Sequence, residues 1–117
     1  MLTVGIVEAG HVCAPRVTDP DAFALVVDGE SMQPKYRPDE VLVFSRKAPV
    51  RSGDDCLVVF YHPTQGLVER FTRVFRQRDG AVRLQPLNPR YESLVVEARR
   101  LLATIRAVGR AAAGASA

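Results

Sequence analysis

At 117 residues, with 47% hydrophobic and 25% charged residues, the chain fits one globular domain able to bury a core of its own. No apolar run approaches a membrane span, and Met1-Leu2-Thr3-Val4 lacks the basic start and apolar stretch of a secretory signal, so a cytoplasmic protein with no membrane partner is expected. The net charge of +3 hides an asymmetry: residues 1–69 carry six Lys or Arg against ten acids, whereas residues 70–117 carry ten Arg against three acids.

Those arginines are spread along alternating segments, which reads as a solvated basic face more than as a nucleic-acid surface. In chain order, Val4–Val7 reads as an N-terminal edge strand. Further apolar or alternating runs follow at Ala22–Val27, Val41–Phe44, Cys56–Tyr61, Leu67–Val74, Ala81–Leu84, Leu94–Val96 and Leu101–Val108. Turn formers separate them: Arg37-Pro38-Asp39, Ser52-Gly53-Asp54, His62-Pro63-Thr64-Gln65-Gly66, Asp79-Gly80 and Asn88-Pro89. The pattern predicts a mainly β, compact, mostly antiparallel domain over residues 1–110. One short helical turn falls within Glu97–Leu102, and 111–117 is a fraying tail.

Chemistry concentrates at Asp28-Gly29-Glu30-Ser31-Met32-Gln33-Pro34, directly after the run Phe23–Val27. A serine at a strand end, with Gly before it and a proline-punctuated loop after it, is placed to be an exposed nucleophile. His11, Cys13, Cys56 and His62 show no chelating spacing, so no metal or other cofactor is expected. Two cysteines are too few for a disulfide framework and fit reduced thiols, with Cys56 as a small buried hydrophobe. Asn88-Pro89 reads as a turn.

These blocks together resemble the C-terminal, self-cleaving domain of LexA, the lambda-type phage repressors and UmuD. Gly5-Ile6-Val7-Glu8-Ala9-Gly10 is similar to the segment those proteins cut, Asp28-Gly29-Glu30-Ser31-Met32 to their nucleophile motif, and Arg37-Pro38-Asp39-Glu40-Val41-Leu42-Val43 to the loop and strand after it. Ser52–Val59 leading into Leu67–Phe71, and Leu84-Gln85-Pro86-Leu87-Asn88-Pro89-Arg90-Tyr91, complete the match. The resemblance implies a LexA-like β fold, a Ser–Lys dyad with Ser31 as nucleophile, Ala9–Gly10 as the bond cut within a cleavage segment over 1–15, and the backbone N–H groups of Glu30 and Ser31 as oxyanion donors. It also implies a homodimer paired through 103–110, a RecA-type coprotease as partner, and a role in transcriptional, SOS-type regulation. No helix-turn-helix is present, so DNA contact is expected only through a separate domain, or the chain is a stand-alone form like UmuD.

One position departs from the pattern. Where the family carries its base lysine, this sequence has Glu69, in Glu69-Arg70-Phe71, and its two lysines, Lys35 and Lys47, match no dyad position. Serine attacks an amide only when a neighbouring base takes its proton, and lysine does so only when a buried site keeps it neutral. Strand alternation groups residue 69 with Leu67, Phe71 and Arg73, against Val68, Arg70, Thr72 and Val74, which predicts a partly apolar setting where Glu69 is either protonated or ionised and paired with an arginine such as Arg70 or Arg73. Two readings follow: an autopeptidase impaired by the loss of its base, or a catalytically silent dimerisation and regulatory module.

Overall fold

The structure is a computed structural model that describes residues 19–110 in full and residues 3–6, 12–13 and 112–113 as paired backbone. Ten strands form: β1 (Thr3–Ile6), β2 (Val12–Cys13), β3 (Phe23–Asp28), β4 (Val41–Ser45), β5 (Asp55–His62), β6 (Gly66–Arg76), β7 (Val82–Gln85), β8 (Leu94–Val96), β9 (Leu101–Arg110) and β10 (Ala112–Ala113). A 3-10 turn at Ala98–Arg100 supplies the short helical element expected within Glu97–Leu102. Among the described residues no helix is long and apolar enough to cross a membrane.

Eight strands make one sheet in the order β1-β3-β4-β9-β5-β6-β7-β8, and every pairing in it is antiparallel. The mainly β, antiparallel fold read from the alternation is the fold observed. The sheet coils until β1 comes against β6.

β9 departs from expectation. Residues 103–110 were expected to offer an edge for a second chain, yet β9 lies between β4 and β5, with Val43 opposite Gly109 on one side and Leu57 opposite Ile105 on the other. Both of its backbone edges are therefore occupied. Alternating apolar and basic residues suit an edge strand, but here Thr104 and Arg106 stand opposite Val58 and Cys56, Arg106 reaches Asp54 at 3.6 Å, and the backbone is paired twice. Ala112–Ala113, expected within the fraying tail, pairs with Val12–Cys13 as a second, two-stranded sheet.

Strand alternation sends side chains to two cores. One holds Leu25, Val27, Met32, Tyr36, Leu42, Phe44, Leu57, Phe71 and Ile105. Its centre is aromatic: Phe71 meets Tyr36 edge-on at 4.9 Å and Phe44 at 5.7 Å. The other holds Cys56, Val58, Phe60, Val68, Val74, Val82, Leu84 and Val96. Each fully buried aromatic or aliphatic side chain contributes about 1.5–3 kcal/mol. Cys56, a free thiol within the second core, is pushed up to about 12 by burial and by Asp54 and Asp55, so it stays an inert hydrophobe.

Candidate active site

β3 ends at Asp28, and Gly29 takes φ 88°, a conformation that favours glycine, to turn the chain into Glu30 and Ser31. The loop that follows is tied to the core at two points. Met32 is fully buried and Tyr36 nearly so, and Tyr36 N–H donates to the Met32 carbonyl at 3.0 Å. The Gln33–Pro34 bond is cis.

Ser31 is held from the other side by Asn88. The Asn88 backbone N–H donates to the Ser31 carbonyl at 3.0 Å, and its side-chain amide donates to the Glu30 carbonyl at 3.0 Å. Asn88 Oδ1 also accepts from Arg90 N–H, and the Asn88 carbonyl from Tyr91 N–H, closing its own turn. The asparagine thus makes the turn expected of it, and it also fixes the peptides that carry Glu30 and Ser31. Nothing in spacing alone assigns this second task; the signal was the survival of a whole Leu84–Tyr91 block in the family pattern.

Ser31 was expected to be exposed, but it is buried, with 6% of its surface accessible, because the Asn88 turn and β6 close over it. Its Oγ has no hydrogen-bond partner among the described residues. Ser31 lines a pocket of about 320 Å³ that opens where β7 leaves β6; the two strands pair only through Arg73–Arg76. Phe71, Leu84 and Pro86 form its apolar wall. Arg70, Thr72 and the Arg90–Glu92 turn form the rest.

Glu69 is not part of this lining. It stands opposite Val59 on β6 and is exposed, as is its neighbour Leu67 at 62%. The alternation placed residue 69 on the correct face, since Phe71 on that face is buried in the first core. The partly apolar setting is the part that fails: the loop through Met32 and Tyr36 covers Leu57 and Phe71 but stops short of Val59 and Glu69. Nor does Glu69 capture either arginine expected to pair with it. Arg73 binds Asp55 through Nε at 2.8 Å and Nη2 at 3.1 Å, and Arg70 Nε has no partner among the described residues.

Both lysines are committed elsewhere. Lys35 Nζ lies 2.8 Å from Asp55 Oδ2, and Lys47 Nζ lies 3.6 Å from Asp19 and 3.2 Å from Asp21. Neither lines the Ser31 pocket. Asp55 is the centre of a compact polar cluster, accepting from Lys35, from Tyr36 Oη at 2.6 Å and from Arg73. Burial alone would raise its pKa, but the hydrogen bonds from Arg73, Lys35 and Tyr36 outweigh burial and hold the carboxyl below its usual range. Burial, and then the bond to Asp55, push the Tyr36 phenol upward, so it remains a donor.

The expected scissile pair Ala9–Gly10 lies outside the described residues, as do His11 and the Cys13 side chain. No three His, Cys, Asp or Glu side chains come together as a metal-binding set among the described residues.

The family described as Peptidase S24-like matches residues 6–112. Repressor protein C of Rhizobium phage 16-3 is 42% identical over 52 residues, covering 44% of this chain and 19% of the phage protein, so the match spans about a fifth of that relative. No solved structure matched.

Proposed function

The chain belongs to the Peptidase S24-like family, and from that membership we propose a regulatory domain of the LexA and phage-repressor kind whose self-cleavage at Ala9–Gly10 is impaired. The observation that carries this reading is the separation of nucleophile and base position: Ser31 borders the pocket, while Glu69 is exposed and outside it. In such a site Ser31 Oγ would attack the Ala9 carbonyl, the Glu30 and Ser31 N–H groups would steady the oxyanion, and residue 69 would take the proton. A hydrated carboxylate is a poor acceptor for a serine proton, and general-base assistance is worth about two to four decades of rate.

Purified protein held for days at neutral pH is expected to give one intact mass. Cutting would release residues 1–9, so accumulation of a species beginning at Gly10, abolished by Ser31→Ala, would overturn the reading. The repressor function named for the phage relative is carried here as a proposed role in transcriptional regulation, with a RecA-type coprotease as its proposed trigger.

The silent-module reading is favoured by the same exposed Glu69 and by an apolar surface suited to self-association. Tyr61 and Leu67, directly opposed across the β5–β6 hairpin, are 56% and 62% accessible, and Leu102 on β9 is 60% accessible. We propose a homodimer formed through such side chains, because both backbone edges of β9 are already paired. Sedimentation at micromolar concentration should then give twice the chain mass, with Leu67→Glu shifting the protein toward monomer. A strict monomer in the unaltered protein would remove this part of the proposal.

A further inference from the structure

Two residues that line the same pocket each carry a buried polar atom without a hydrogen-bond partner. Ser31 Oγ and Arg70 Nε each lack a hydrogen-bond acceptor or donor among the described residues, and both residues line the 320 Å³ space beside β6. An unpartnered buried polar group carries a desolvation cost that a partner relieves. An arginine can only donate, so the missing partner must accept.

The shape of the donors narrows the choice. A guanidinium presents parallel N–H groups matched to a planar pair of oxygens. Arg90 and Glu92 are both exposed, so water screens their opposite charges alike and the buried Arg70 Nε decides the preference. Phe71, Leu84 and Pro86 supply the pocket's apolar lining. Inorganic phosphate or sulfate would leave that wall unused. A carboxylate carried on a short hydrocarbon group fills both halves, and the volume lies at the lower end of the range for small-molecule sites.

We propose that the Ser31 pocket binds a carboxylate ligand with a small apolar body, Arg70 and the Ser31 hydroxyl being its principal donors. The site is independent of whether the chain cuts itself, since a domain that never cleaves still holds both unpaired groups. Binding and intact mass are read separately, so either proposal can fail without the other.

Two sources share this chemistry: a free organic acid and the C-terminus of a peptide. Calorimetric or NMR titration of the full chain with hexanoate and benzoate, and with N-acetyl-Ala-Leu as the free acid and as its amide, separates them. Saturable binding of the acids is expected, with the amide at least tenfold weaker. Preference for the peptide acid assigns a chain terminus; preference for hexanoate or benzoate assigns a free acid. Arg70→Gln is expected to weaken binding tenfold or more, while Arg83→Gln, at an arginine stacked on Phe75 outside the pocket, leaves it unchanged. Should Arg70→Gln fail to fold, Ser31→Ala is expected to weaken binding about threefold, the loss of one neutral hydrogen bond. Equal affinity for acid and amide, full binding by Arg70→Gln (or by Ser31→Ala where Arg70→Gln does not fold), or no saturation by any of the four probes would overturn the proposal.

Discussion

Asp55→Ala is expected to destabilise the domain by about 3 kcal/mol, a melting-temperature loss of roughly 10–15 °C. The carboxylate side chain is 5% accessible and accepts from three donors, the adjacent Lys35 and Tyr36 and the distant Arg73. Removing it leaves the Tyr36 hydroxyl buried beside the Phe71 ring without an acceptor, and leaves two cations unpaired. The loss stays at the lower end of the range for broken buried pairs because Lys35 and Arg73 keep 49% and 28% of their side-chain surface in water. Urea unfolding followed by fluorescence would measure it, and a loss under 1 kcal/mol would show that the cluster is not a structural centre.

The pH dependence of that variant has a definite sign. The carboxyl is held below its ordinary value in the folded protein, so its stabilisation is fully present above about pH 4, the unfolded value. It is lost as pH falls through the lower folded value. The gap in stability between the unaltered protein and Asp55→Asn should therefore be constant from pH 5 to 7 and close as the solution is acidified below 4. A gap that persists unchanged at pH 2 would locate the effect in packing and not in charge.

Glu69→Lys is the second large change, and the exposure of residue 69 decides its form. A lysine at an exposed site keeps a pKa near the ordinary value of about 10.4, and only its neutral form can take the Ser31 proton. Cutting at Ala9–Gly10 is expected to stay slow at pH 7 and to rise about tenfold per pH unit, roughly a thousandfold by pH 10. Intact mass against time, with Glu69→Lys plus Ser31→Ala as the blank, gives the profile. A rate already level above pH 7 would mean that the chain closes over residue 69 and desolvates the amine. An uncut variant at pH 10 would mean that the site has lost more than its base.

The strand spans were legible because each run alternates and each gap carries Gly, Pro or Asp. The turn that carries Ser31 was legible because Gly29 takes a conformation that few residue types can, and the serine stands two positions beyond it. Alternation assigns a residue to one of two faces but does not say where the cover on that face ends. Phe71 and Glu69 therefore looked equivalent, although the Met32–Tyr36 loop shelters only the first. Asp55 was invisible for a different reason. Its donors Tyr36 and Arg73 are brought to it by folding from 19 and 18 residues away, and nothing local marks an aspartate that will collect them. Asn88 was recognised as a turn, but its bond to Glu30 spans 58 residues and exists only in the folded chain.

The placement of β9 bears on how the molecule comes into being. Strands β4 and β5 are neighbours of β9 and not of each other, so until residues 101–110 leave the ribosome they face a gap of one strand's width. The earlier pairs, β3 with β4 and β5 with β6, can form as hairpins while synthesis continues, but each then presents a bare edge to water. The last long strand acts as a keystone, joining two separately made half-sheets in a single late step. A chain halted at residue 100 would have most of its apolar side chains and no means of closing over them, which makes it a substrate for aggregation or proteolysis instead of a slightly weakened version of the whole.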